Sequence, residues 1–117
     1  MKKIFTILGL TAIATMSNAQ IVISEVYGGG GGSTAVYMND FVELVNLGSS
    51  AATLSGANLQ YASATGTFNS YAPLPSITLN PGQKFLIEMV PATANTVGAA
   101  LPTADYKVTS NLNIATG

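Results

Sequence analysis

Three carboxylates lie near one another in a chain of which only 8% of the residues are charged: Glu25, Asp40 and Glu43. Carboxylate oxygens are hard ligands that suit Ca²⁺, and loop carbonyls with Asn39 would complete the shell. The alternative is structural, because ion-binding loops usually supply more closely spaced ligands. In that case Glu25 and Glu43 face solvent on strands and Asp40 shapes a turn. The sequence therefore offers a candidate calcium site at Glu25, Asp40 and Glu43 and leaves the structural interpretation open beside it.

Five consecutive glycines, residues 28–32, separate Glu25 from the other two carboxylates. A phosphate-binding loop directs backbone N–H groups at an anion, usually at the start of a helix and with a lysine nearby. Here the run leads into Ser33 and Thr34 without a Gly-Lys-Ser/Thr ending, and no helical pattern follows. We therefore predict a long, mobile connection between two strands rather than a nucleotide site.

The composition argues against catalysis by this segment. The chain contains no histidine and no cysteine, which removes the Ser-His-Asp arrangement, histidine-ligated zinc and disulfide bonds. Ser24, Ser33 and Thr34 consequently have no base to activate them. We predict that the segment is not an enzyme and that it binds no cofactor other than Ca²⁺ at the candidate site.

The N-terminus has the three-part layout of a secretory signal peptide. Lys2 and Lys3 precede an apolar stretch that runs to about Met16, and Ser17-Asn18-Ala19 provides a small and polar cleavage region. The apolar stretch is shorter than the roughly 20 residues that a membrane-spanning helix needs. We predict a signal peptide over residues 1–19, cleavage after Ala19, secretion or display at the cell surface, and no transmembrane segment after cleavage.

The charge balance of residues 20–117 limits the partners that the chain can bind. These residues carry two lysines, Lys84 and Lys107, against five carboxylates. A protein that binds nucleic acid needs a basic surface to contact the phosphate backbone. The sequence therefore argues against direct nucleic-acid binding by this segment.

Residues 20–117 have the pattern of β-structure throughout, with short alternating apolar runs separated by Gly, Pro, Asn and Ser. Residues 21–27 and 41–46 are two strongly patterned strands, and in the second Val42 and Leu44 share one face while Glu43 lies on the other. The same reasoning predicts further strands at residues 57–61, 76–79, 84–90, 106–109 and 112–114. Many short strands without a helical stripe indicate a single all-β domain with the architecture of a sandwich.

The first two strands and their loop resemble the bacterial lamin tail domain. An Ile23-Ser24-Glu25-Val26-Tyr27 strand that runs into glycines and is followed by Asn39-Asp40-Phe41-Val42-Glu43-Leu44 is a specific combination. The resemblance implies an immunoglobulin-like β-sandwich, part of a secreted or surface protein, whose usual role is non-catalytic attachment. It carries over no catalytic residue. It continues through four further segments, residues 54–56, 59–62, 79–83 and 101–105.

Two features depart from that family. Ala57 stands where a tryptophan is common, which leaves a smaller core contact. The family pattern also runs on past the position of Gly117 into a closing strand. We therefore expect a C-terminally incomplete lamin-tail-like domain over residues 20–117 that lacks its closing strand or strands, with an unpaired sheet edge as the physical consequence.

Taken together, these features predict a non-catalytic extracellular binding or attachment module whose partner is an unidentified extracellular or cell-surface protein or glycan. Two alternatives stay open. In the first, the segment is the N-terminal accessory domain of a larger secreted hydrolase, nuclease-like, whose catalytic part lies beyond residue 117. In the second, it is a calcium-stabilised adhesion domain.

Overall fold

Short β-strands form the whole of the regular structure in the part of the chain that is described. A computed structural model describes residues 20–90, 97–109, 112 and 114. Within these residues the strands are β1 (Ile21–Tyr27), β2 (Phe41–Asn46), β3 (Ala52–Leu54), β4 (Asn58–Tyr61), β5 (Ser70–Pro73), β6 (Ile77–Leu79), β7 (Lys84–Glu88) and β8 (Tyr106–Lys107).

The largest sheet has the strand order β1-β2-β7-β8. Strand β2 pairs antiparallel with both β1 and β7, and β8 pairs parallel with β7. Two further antiparallel pairs, β3 with β6 and β4 with β5, supply the opposing layer. Strand β1 therefore lies at one edge of the main sheet, and β2 lies in its interior.

One face of the main sheet packs on the smaller pairs and forms the core. We call it the inner face; it presents Val42 and Leu44 from β2 and Ile87 from β7. These side chains pack with Leu59 and Leu79 from the opposing layer in one cluster of buried residues. Each fully buried aliphatic side chain contributes about 1.5–3 kcal/mol relative to an exposed one, so this cluster is the main source of stability.

Asn46 is a fully buried polar residue at the end of β2. Its side-chain amide donates to the carbonyls of Ser50 and Leu79, each at 2.9 Å, and its side-chain oxygen accepts from the amide of Gly48 at 2.8 Å. Its backbone carbonyl accepts from the amide of Gly82, which has a positive φ of 75° in the turn between β6 and β7. Asn46 therefore joins two turns and the opposing layer with no polar atom left unpaired.

A β-bulge at Ser24 changes which side chains of β1 face outwards. Ile23 pairs with Leu44 and Glu25 pairs with Glu43, so two residues of β1 span one step of β2. The extra residue moves Glu25 to the face opposite the core, which we call the outer face, and returns Val26 to the inner face. Without the bulge, simple alternation would place Glu25 beside Ile23.

The fold confirms the predicted all-β sandwich and several of its strands. Strands β1 and β2 have the predicted bounds, and the predicted inward side chains of β2, Val42 and Leu44, are buried. The sequence did not predict β3 or β5, since β3 is only three residues long and β5 contains Pro73, which is rare inside sheets.

Some predictions concern residues outside the described part of the chain. The signal peptide is predicted at residues 1–19, all of which lie outside the described part, and the last predicted strand is represented only by Leu112 and Ile114. The signal peptide and the lack of a closing strand stay predictions. Among the described residues, no helix has the length and apolar character needed to cross a membrane.

Candidate functional site

The glycine run forms a hydrogen-bonded loop between β1 and β2. The amide of Gly31 donates to the carbonyl of Tyr37 at 3.0 Å, and the amide of Gly32 donates to the carbonyl of Gly29 at 3.3 Å. Gly29 and Gly31 have positive φ values of 78° and 74°, a conformation that side chains rarely allow. The loop joins neighbouring strands as predicted; these bonds tie it to the rest of the protein, and its mobility stays a prediction.

The hydrogen bonds of the glycine run also show whether its backbone amides are free to bind a nucleotide phosphate. Gly29 donates to the carbonyl of Ile114 at 3.0 Å, and Gly30 donates to the side chain of Asp40 at 2.6 Å. The amides of residues 29–32 are therefore all used within the protein. Turns and isolated bridges, and no helix, follow the run over residues 33–40. A phosphate needs free amides that point to one place, and this loop does not offer them.

Asp40 is a buried carboxylate that holds two separate segments of the chain. Only 1% of its surface is exposed. One carboxylate oxygen accepts from the amide of Gly30, and the other accepts from the amide of Ile114 at 3.0 Å. Its own backbone carbonyl accepts from the amide of Met89 at 2.9 Å. Asp40 thus fastens the glycine loop and the C-terminal segment to the sheet, and a local turn is not its main role.

Glu25 and Glu43 do come together, as opposite residues of β1 and β2 on the outer face. Like charges in this position repel one another. Glu43 has two compensating partners, the hydroxyl of Ser24 at 2.7 Å and the ammonium of Lys84 at 3.1 Å. Glu25 is exposed, and no described residue forms a hydrogen bond or an ion pair with its carboxylate.

The structure therefore divides the three carboxylates of the predicted calcium site. Glu25 and Glu43 lie together on the outer face, whereas both oxygens of Asp40 accept backbone amides beneath the glycine loop. Within the described residues, no three acidic, histidine or cysteine side chains are grouped so that they could hold a metal ion. This arrangement gives the calcium site no support, and Ca²⁺ binding stays an untested prediction.

The surroundings of Glu43 lower its pKa below the ordinary value of 4.5. The hydrogen bond from Ser24 is the largest cause and Lys84 adds to it, while partial burial acts in the opposite direction. A lowered pKa means that the folded state favours the ionised carboxylate. The resulting stability is fully present above the unfolded-state pKa and is lost as the pH falls through the folded-state pKa.

Replacement of Glu43 by glutamine tests the direction of this pH dependence of stability. We expect Glu43→Gln to lower the free energy of unfolding by about 0.5 kcal/mol at neutral pH, because a surface pair of this kind contributes little. The difference between the two proteins should shrink as the pH falls below 4.5. Urea denaturation at a series of pH values measures it, and a difference that grows in acid would contradict the assignment.

Beside the two glutamates, the outer face has a groove with aromatic and apolar walls. Its volume is about 170 Å³, and its lining comprises Glu25, Tyr37, Phe41, Glu43, Leu86, Leu101 and Pro102. The ring of Tyr37 meets that of Phe41 edge to face at a centroid distance of 5.7 Å. Tyr27 stacks on Phe41 at 5.6 Å and accepts the amide of Val36 with its hydroxyl. These contacts fix the aromatic wall before any partner binds.

Chemically, the groove combines charge with exposed apolar area and contains no nucleophile paired with a base of suitable pKa. Ser24 donates to Glu43, but the pKa of that carboxylate is lowered, which makes it a weaker base. Sequence reasoning missed Leu86, Leu101 and Pro102 because they come from distant segments. Phe41 lies two residues from Glu43 in the same strand, so the period of two indicates that they share a face.

Comparison with known proteins gives one match. The sequence model of the lamin tail domain family matches residues 14–115. No curated protein and no solved structure matches the chain significantly.

Proposed function

This chain belongs to the lamin tail domain family, whose members are non-catalytic immunoglobulin-like domains, and we propose that it serves as an extracellular attachment module. In this proposal residues 1–19 direct export and are removed after Ala19. The sandwich then contacts a protein or glycan of the cell surface or its surroundings through the groove on its outer face. The catalytic activity of any larger assembly resides in other parts of that assembly.

The observation that carries this proposal is the groove itself. Exposed concave surfaces that combine aromatic walls with a few polar groups are typical of binding sites. The half-buried ring of Tyr37 supplies rigid aromatic area and packs on the buried ring of Phe41, and Glu25 supplies a carboxylate that has no partner among the described residues. A partner that brings a positive charge to Glu25 would relieve its repulsion with Glu43. The attachment surface is thus formed before a partner binds, and its Glu25 carboxylate has no opposite charge beside it among the described residues.

Export and attachment need separate tests. The full chain should be produced in a bacterium with an intact export pathway, and the N-terminus of the exported product should be sequenced. We expect it to begin at Gln20. The exported domain should then be immobilised and offered purified cell-wall glycan, a surface-protein preparation and double-stranded DNA at two salt concentrations.

We expect binding to the glycan or the surface proteins and little binding to DNA. Glu25→Gln should weaken this binding, whereas Asn58→Lys should leave it unchanged. Both variants change the net charge by one, but Asn58 is exposed on β4 in the opposing layer, away from the groove. Retention of the uncleaved chain in the cytoplasm, or equal losses in the two variants, would contradict the proposal.

A further inference from the structure

The opposing layer of the sandwich is built from a part of the chain that has no charged residue. Its strands β3, β4, β5 and β6 all lie within residues 44–83, a stretch without Asp, Glu, Lys, Arg or His. About 25–35% of the residues on a typical soluble surface are charged, so a whole layer without any is unusual. A ligand that binds to this layer alone therefore meets only uncharged groups.

A pocket of about 280 Å³ lies at the loop that joins β4 to β5. Its walls come entirely from residues 61–70, a continuous segment that the structure describes in full. Two backbone hydrogen bonds shape the loop. The amide of Gly66 donates to the carbonyl of Ser63 at 3.0 Å, and the amide of Asn69 donates to the carbonyl of Thr67 at 2.8 Å. The pocket is therefore a local feature of this hairpin.

Tyr61 forms an aromatic wall of the pocket. Tyr61 and Ser70 are directly opposite residues of β4 and β5, so their side chains lie on the same side of the hairpin. Leu59 and Ala72, two residues further from the loop on each strand, lie on that side as well and are buried in the core. The half-buried Tyr61 packs against this core. The pocket thus begins where the core ends, beside a ring that the core holds in position.

The other functional groups of the pocket are polar and uncharged. The hydroxyls of Ser63, Thr67 and Ser70 and the amide of Asn69 line it, and none of these four side chains forms a hydrogen bond with another described residue. Hydroxyls and amides both donate and accept hydrogen bonds. The binding loops of antibody domains use similar residue types, because Tyr supplies rigid contact area while Ser, Gly and Asn supply adaptable hydrogen bonds. The pocket therefore offers open donors and acceptors beside an aromatic wall.

A neutral sugar has the chemistry that complements this pocket. Each sugar hydroxyl both donates and accepts, as the side chains of the pocket do, and the C–H groups of a sugar ring form an apolar face that covers the face of an aromatic ring. A charged ligand would lose hydration without meeting an opposite charge. Small-molecule pockets usually have volumes of about 300–1,000 Å³, so a pocket of about 280 Å³ is suited to a ligand of about one ring.

We propose that the loop between β4 and β5 binds one neutral sugar residue of a glycan. The sugar ring packs on Tyr61, and its hydroxyls form hydrogen bonds with Thr67, Asn69 and the two serines of the pocket. The inference goes beyond the proposed function, because this pocket and the groove on the outer face share no residue. The groove presents a carboxylate to its partner, whereas the pocket recognises its ligand without charge.

Titration of the isotopically labelled exported protein, followed by NMR, tests this site because it detects weak binding residue by residue. The neutral probes are trisaccharides of glucose, of mannose and of N-acetylglucosamine, and the charged probe is trigalacturonic acid. We expect a Kd on the order of 1 mM for at least one neutral probe, because a small ligand in an open site forms few contacts. Saturable chemical-shift changes should centre on residues 61–70. The charged probe should bind at least about fivefold more weakly.

Two threonines of the same loop provide a matched pair of variants. Thr67→Val retains the shape of the side chain but removes a hydroxyl of the pocket, so the affinity for the neutral probe should fall by about three- to tenfold. Thr65→Val makes the same change at an exposed residue that does not line the pocket, and binding should be unchanged. Asn69→Ala should weaken binding by about tenfold. Glu25→Gln should leave sugar binding unchanged, because Glu25 lines the groove on the outer face.

Specific results would overturn the inference. These are the lack of saturable shift changes with every neutral probe, shift changes that centre away from residues 61–70, equal losses in the two threonine variants, and equal binding of the charged probe. If surface proteins bind in a Glu25-dependent manner while no sugar binds, the sugar site is wrong and the attachment function stands. If a neutral sugar binds at the hairpin and no surface preparation binds in a Glu25-dependent manner, the proposed function fails and the sugar site stands.

Discussion

Asp40→Ala is expected to lower the free energy of unfolding by about 2–4 kcal/mol, since the buried amide of Gly30 left unpaired costs about 1–3 kcal/mol and the part-buried amide of Ile114 costs less. The substitution removes the acceptor for the amides of Gly30 and Ile114 at a position that is 1% exposed. Domains of this size have a total stability of about 5–15 kcal/mol. The variant would therefore lose a large part of its stability.

Urea denaturation followed by circular dichroism measures this loss. Asp105→Ala is the matched control, because Asp105 also accepts a backbone amide, that of Leu86 at 2.8 Å, but is exposed. We expect the control to cost less than about 1 kcal/mol, since water replaces the lost acceptor. If Asp40→Ala does not fold, Asp40→Asn retains one acceptor oxygen and should be intermediate. Equal losses at positions 40 and 105 would show that the buried carboxylate does not hold the two segments together.

The second large effect is expected within the glycine run. A Cβ atom on residue 30 would lie 2.5 Å from the amide nitrogen of Asp40 and close to the carbonyl carbon of Asn39. Both neighbours are backbone atoms, so the loop and the start of β2 would have to shift. We expect Gly30→Ala to cost about 3 kcal/mol, near the upper end for overpacked sites.

Gly32→Ala provides the comparison two residues further along the run. The added Cβ would approach only the carbonyl oxygen of Gly29, at 3.2 Å. We expect this variant to cost less than about 1 kcal/mol, because a small shift relieves the contact. Thermal denaturation of the two variants under identical conditions measures the difference. A loop that tolerates both substitutions equally would be a flexible tether, and the hydrogen bonds described for it would not fix its backbone.

The sequence predicted the strands with local patterns and missed the features that depend on distant contacts. Alternation placed Val42 and Leu44 inside and Glu43 outside, as the structure has them, because a period of two is a local property. The face of Glu25 was not determined by that period, since the bulge at Ser24 shifts it. A bulge of this kind arises from the pairing with β2 and has no residue type that identifies it.

The candidate site was predictable only in part, for the same reason. Composition drew attention to the three carboxylates, but it did not show that they lie in different surroundings, with Glu25 and Glu43 on the outer face and Asp40 buried beneath the glycine loop. Asp40 accepts the amide of Ile114, 74 residues away, and the groove wall comes from Leu86, Leu101 and Pro102. The glycine run also forms a hydrogen bond with the same distant residue. Spacing along the chain carries no information about such contacts.

The contact between Asp40 and Ile114 also bears on the order in which the chain acquires its structure. Contacts between residues so far apart in sequence carry a high entropic cost of loop closure and form slowly. Strands β1 and β2 can pair once residue 46 is available. The amide of Gly29 and one carboxylate oxygen of Asp40 have no partner until residue 114 has joined the fold. In a chain that becomes available for folding from its N-terminus onwards, the glycine loop would therefore be among the last parts to become rigid.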